Sequence, residues 1–148
     1  ILKLYATNKV NLDRMDLPEL MKIMTKIGIQ DPVNMMIGFP NETEKEINMS
    51  IDFAKRLMDC GAPYITFFIP IPFPGSALYN IAINGNYLEK DFDTDKMNWK
   101  NPVMKNTTVN PEKLIKIRDR ANEEINTKKH LKKRLINSAG HRFAEQIN

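Results

Sequence analysis

Two short loops hold the residues whose types and spacing could do chemistry. Gly38, Phe39, Pro40, Asn41, Glu42 and Thr43 (GFPNET) close one apolar run, and residues 70–76 (PIPFPGS) close another, with Pro70, Pro72 and Pro74 at alternate positions before Gly75 and Ser76. Gly38 permits close backbone approach to another group. The prolines fix φ and remove three donors, so these loops are stiff and lose little freedom when something binds. Glu42 is a carboxylate near a helix start, where negative charge complements the dipole. Nowhere does the chain carry a Ser-His-Asp, Cys-His or Walker-type arrangement. The loops therefore offer a place to hold a ligand without a catalytic group of their own.

Other candidates are weaker. The single cysteine, Cys60, excludes an internal disulfide and cannot alone hold a cluster or structural zinc. Asp91, Asp93 and Asp95 alternate as DxDxD, but no glycine or closing glutamate follows as in a calcium loop, so they read as a solvated loop and no metal ligands are assigned. Lys128, Lys129, Lys132, Lys133 and Arg134 form a basic run that could bind phosphates. No aromatics are interleaved to stack bases, so a solvated helix face with Leu131, Leu135 and Ile136 turned inward is the better reading. His130 and His141 lie on or near that polar stretch and are not assigned as base or ligand. Trp99 is expected to anchor the loop around it.

The elements that position the two loops follow from periodicity. Asp16 is an N-cap with Glu19 as capping-box partner and Pro18 in the first turn. Leu17, Leu20, Met21, Met24 and Ile27 then form one apolar stripe, ended by Gly28. Residues 33–37 are apolar at nearly every position, which predicts a strand covered on both faces in a parallel sheet. Thr43 and Glu46 make a second capping box, with Glu44 in the first turn. Behind it, Ile47, Ser50, Ile51, Ala54, Leu57 and Met58 form the buried stripe and Gly61 the C′ residue.

Residues 64–69 (YITFFI) predict the next strand. Strand, helix and strand within about forty residues form a right-handed βαβ unit. The strands are then parallel, and both loops lie at the one rim formed by their C-terminal ends. A short helix follows over residues 77–84, ended by Gly85, and periodicity is then lost over 86–109. Asn110, Pro111 and Glu112 start the last clear helix, with Leu114, Ile115, Arg118, Ala121 and Ile125 on one side. Residues 1–10 show no cap and read as the middle of an element.

At 148 residues, 42% apolar and 27% charged, the chain has ordinary globular content. The net charge of +4 is concentrated near the end. No apolar run approaches the roughly 20 residues that span a bilayer, and no signal-peptide pattern opens the chain, so a cytoplasmic protein without membrane partners is expected.

The order GFPNET, AKRLMDCGA, YITFFIPIPFPGSALY resembles the C-terminal half of the radical S-adenosylmethionine catalytic domain, in particular the branch in which many members also carry a cobalamin-binding domain. That branch reads Gly-hydrophobic-Pro-x-Glu-Thr and then Pro-x-Pro-Gly-Thr. Gly38, Phe39, Pro40, Glu42, Thr43, Pro72, Pro74 and Gly75 occupy those places; Asn41 stands where glycine is usual and Ser76 where threonine is usual. The likeness extends over about residues 16 to 126.

It implies an α/β fold, a partial TIM-like barrel of βαβ units, with residues 1–109 as the later part of the half-barrel and 110–148 as a helical C-terminal extension. It also implies S-adenosylmethionine as cofactor, bound by Ile37, Gly38, Phe39, Pro40, Phe68, Ile69 and Pro70, with Glu42, Pro72, Pro74 and Gly75 facing an unknown substrate. The iron–sulfur cluster would be ligated by a CxxxCxxC loop upstream of Ile1, in a missing N-terminal half of the same enzyme, leaving this chain alone inactive. Cobalamin use, and methyl transfer against cyclisation or another radical reaction, stay open. A non-catalytic α/β scaffold and a basic-tailed nucleic-acid-binding protein are the alternatives. On this reading Gly38→Val should block the cofactor while leaving the fold nearly as stable.

Overall fold

The computed structural model describes residues 15–89, 92–98 and 101–132. The expectations for residues 1–10, Asp91, Trp99, the basic residues from Lys133 onward and His141 lie outside them. The element order is α1 (Leu17–Lys26), β1 (Val33–Met36), α2 (Glu44–Asp59), β2 (Ile65–Phe68), α3 (Ala77–Asn84), a 3₁₀ turn (Thr94–Lys96) and α4 (Pro111–Ile125). β1 and β2 are parallel, paired Val33 to Ile65, Asn34 to Thr66, Met35 to Phe67 and Met36 to Phe68. The α/β class and the βαβ unit are therefore present as a two-stranded parallel sheet with helices.

Local signals set the helix starts. Asp16 accepts from the Glu19 N–H at 3.0 Å. The Glu19 carboxylate instead pairs with Lys22 Nζ at 3.2 Å, the i,i+3 neighbour on the same face. Ile27 is not part of the stripe: the helix ends at Lys26 and Ile27 is 64% exposed. α2 has the full capping box, Thr43 with Glu46, and buries Ile47, Ile51, Ala54, Leu57 and Met58. The turn after it needs Gly61, which has φ +110 and a Thr25 hydroxyl where a Cβ would stand.

One core joins the layers. Ile65 and Phe67, with Val33 and Met35 packed against them, face Met21 of α1, the α2 stripe, and Leu114, Ile117, Ala121 and Ile125 of α4. Leu114, Ala121 and Ile125 are the expected α4 positions, but Ile117 rather than Arg118 completes the stripe, because the face repeats at i, i+3, i+7 and i+11. The expectation that β1 is covered on both faces is corrected. Its burial alternates, Asn34 is exposed, and Met36 is 58% exposed, because the described helices pack on the other side only.

β2 is closed along its outer edge by side chains. Asn126 Oδ1 accepts from the Ile65 N–H at 3.1 Å and its Nδ2 donates to Ile65 O at 2.7 Å, while Asn122 Oδ1 accepts from the Phe67 N–H at 2.9 Å. Two asparagines one helical turn apart thus take the places of a neighbouring strand. Ala82 of α3 forms a satellite core with Leu88 and Met104, which anchors the stretch without periodicity near both of its ends.

Candidate functional site

The parallel pairing carries both loops to one rim: Ile37, one residue beyond β1, still donates its N–H to Phe68 O at 3.0 Å. From there GFPNET is pinned at almost every residue. Glu42 turns back into the loop, where one carboxylate oxygen accepts from the Gly38 N–H at 2.6 Å and the Phe39 N–H at 3.1 Å. The Glu42 N–H returns to Phe39 O at 2.9 Å, closing the turn. Pro40 O accepts both from the Thr108 N–H at 2.9 Å and from the Thr108 hydroxyl at 3.1 Å. Asn41 Oδ1 accepts from the Tyr87 hydroxyl at 2.9 Å.

The second loop is tied more locally. Ser76 caps α3 by accepting from the Tyr79 N–H, and its hydroxyl donates to Phe73 O at 2.7 Å. Pro72 is buried, whereas Phe73, between two prolines, stands 56% exposed.

The structure divides the sequence-derived candidates. Ile37, Gly38, Pro40, Ile69, Pro70 and Pro72 are buried within the chain; Phe39 and Phe68 are half-buried, and Pro74 and Gly75 exposed. Glu42, expected to face substrate, is 2% exposed and directed at its own loop. Gly38 also has a different reason to be glycine. Its φ is +92, and a Cβ there would lie 2.2 Å from Leu114 Cδ2, so the close approach is to α4. The expectation that Gly38→Val spares the fold is therefore corrected, because the larger side chain would be driven into a buried leucine.

Two carboxylates four residues apart have opposite electrostatics. Burial pushes the Glu42 carboxyl above the ordinary glutamate range, with the Gly38 and Phe39 N–H groups acting against that rise. Hydrogen bonds from Thr43 hold the exposed Glu46 carboxyl below it. Neither is presented at the rim as a base. Phe68 and Met36, paired across the two strands, lie on the open sheet face, with Phe39 half-buried in the first loop and Phe73 exposed in the second. The arrangement can bind and orient a partner.

Among the described residues no group of three His, Cys, Asp or Glu is placed for a metal, and no helix is long and apolar enough to cross a membrane. Cys60 caps the C-terminal end of α2, which leads into the start of β2 and so lies away from the rim. It does not fit as a cluster ligand there.

Sequence reasoning missed the braces. Leu114, Thr108 and Tyr87 lie far along the chain from the loop they hold; the α4 stripe marks Leu114 as buried, but no local pattern pairs any of the three with that loop. Tyr87 is 46 residues from Asn41 and Thr108 is 68 from Pro40.

The chain is 34% identical over 107 residues to an uncharacterized methyltransferase of Pyrococcus horikoshii. The match covers 72% of this chain and 20% of that protein, so the chain spans about a fifth of the relative's length. No family model matches the chain. No solved structure matches it.

Proposed function

We propose that this chain supplies the later strands and rim loops of an S-adenosylmethionine-dependent methyltransferase of the radical type. The observation that carries the reading is the placement of GFPNET and PIPFPGS side by side at the C-terminal ends of two adjacent parallel strands. That is where α/β folds bind ligands. The likeness to a methyltransferase supports S-adenosylmethionine as the ligand. Phe39 and Phe68, with Met36, suit an adenine face, and the pinned loops would lose little freedom on binding.

A partial TIM-like barrel is the fold this reading implies. The asymmetry of the sheet supports it, since side chains of α4 occupy the outer edge of β2, while no described strand pairs with the outer edge of β1. Growth past β1 would place Asn34, Met36, Thr66 and Phe68 toward the barrel interior. An iron–sulfur cluster, ligated by thiolates other than Cys60, would supply the electron for reductive cleavage of S-adenosylmethionine. Cobalamin as methyl carrier belongs to the same reading, on the family resemblance alone. This chain's own residues would orient the adenosyl group and exclude water from it.

The test is the full-length protein. Its reading frame should contain a CxxxCxxC segment ahead of Ile1, and after anaerobic reconstitution the protein should bind S-adenosylmethionine and release 5′-deoxyadenosine under strong reductant. A frame without that segment, together with no binding of S-adenosylmethionine, overturns the proposal.

A further inference from the structure

Glu42 is the buried charged residue among the described ones. Desolvating a carboxylate is costly, and the neighbouring helix does not require it, because Thr43 and Glu46 already complete the cap of α2 between them. Its carboxylate is spent on two successive N–H groups of the rim, Gly38 and Phe39, which converge on one oxygen as in a backbone nest. With Pro40 O held by Thr108 and the Asn41 side chain by Tyr87, each residue from Gly38 to Asn41 has a hydrogen-bond anchor. Phe39, half-buried, is the aromatic residue of that turn.

We propose that Glu42 is a positioning residue: its carboxylate sets the Gly38–Phe39 backbone so that the Phe39 ring stands ready against the flat face of the bound cofactor. The inference rests on the S-adenosylmethionine reading above. It assigns Glu42 a role through the loop, with no contact to substrate, and it separates Glu42 from Glu46, whose work is confined to the helix end. A charged acceptor suits the position because charge-assisted bonds to two N–H groups hold a glycine at positive φ more firmly than a neutral acceptor would. An amide oxygen at the same place can still accept from both.

The experiment measures S-adenosylmethionine and S-adenosylhomocysteine affinity by calorimetry in the full-length protein, for wild type, Glu42→Ala, Glu42→Gln and Thr43→Ala. Glu42→Ala should weaken both ligands by about tenfold, because two rim N–H groups lose their acceptor. Glu42→Gln should restore most of that affinity. Thr43→Ala breaks the adjacent capping box and lowers stability, but should leave affinity within about twofold, since the effect of a cap is on the helix. In the 148-residue chain, amide exchange at Gly38 and Phe39 should quicken in Glu42→Ala and stay slow in Glu42→Gln. Equal losses of affinity in Glu42→Ala and Thr43→Ala would reduce Glu42 to a stability role, and unchanged affinity in Glu42→Ala would overturn the proposal outright. Wild-type protein that binds neither ligand overturns both this inference and the function beneath it.

Discussion

Replacing Gly38 by alanine should cost about 2–5 kcal/mol, in two separable parts. The first is backbone strain: Gly38 has φ +92, where an L side chain costs about 1–2 kcal/mol. The second is steric. The new Cβ would stand 2.2 Å from Leu114 Cδ2, 2.9 Å from Cδ1 and 3.0 Å from Cγ. Rotating the leucine about χ2 moves the methyls but leaves Cγ in place, so relief requires another χ1 rotamer or a shift of α4, and overpacking of this kind costs about 1–3 kcal/mol.

Leu114 is itself almost fully buried, and Leu114→Ala should cost about 2–5 kcal/mol alone. In the double variant the clash disappears, and the added cost of Gly38→Ala should fall to the strain of about 1–2 kcal/mol. Urea unfolding of the four proteins closes the cycle. A Gly38→Ala increment that is the same with and without Leu114 would refute the contact as the cause, and a neutral Gly38→Ala would refute the strain as well.

Asn126→Ala leaves the Ile65 N–H and C=O without their side-chain partner and should cost about 1–3 kcal/mol, with more self-association by light scattering as the β2 edge opens. A loss no larger than that of exposed Asn48→Ala would count against edge closure. Thr43→Ala should cost about 1 kcal/mol in thermal unfolding through loss of the capping box. Glu42 predicts a pH dependence whose sign follows from its raised folded value: the folded state binds the proton more tightly than the unfolded one, so this contribution is full below the ordinary glutamate value and is lost as pH rises through the folded one. The wild-type minus Glu42→Gln stability difference should therefore decline as pH rises above the ordinary glutamate value, and a difference that grows with pH would contradict the burial argument.

Much of this molecule is written locally. Caps at Asp16, Thr43 and Asn110, the α2 stripe, the two strands and the glycine after α2 each depend on residues within about a turn of one another, so spacing alone is enough to read them. The parallel rim was legible for the same reason, because a βαβ unit leaves little choice of topology. Tertiary structure decided the rest. It used Asn122 and Asn126 as substitutes for a strand and set Leu114 in the space where Gly38 lacks a side chain. It also turned Glu42 inward, a choice a helix-start carboxylate does not announce, since the dipole would be served by either orientation. The asparagine and leucine contacts join segments tens of residues apart, and no short-range pattern records which side chain will arrive opposite a given backbone group once the core has closed.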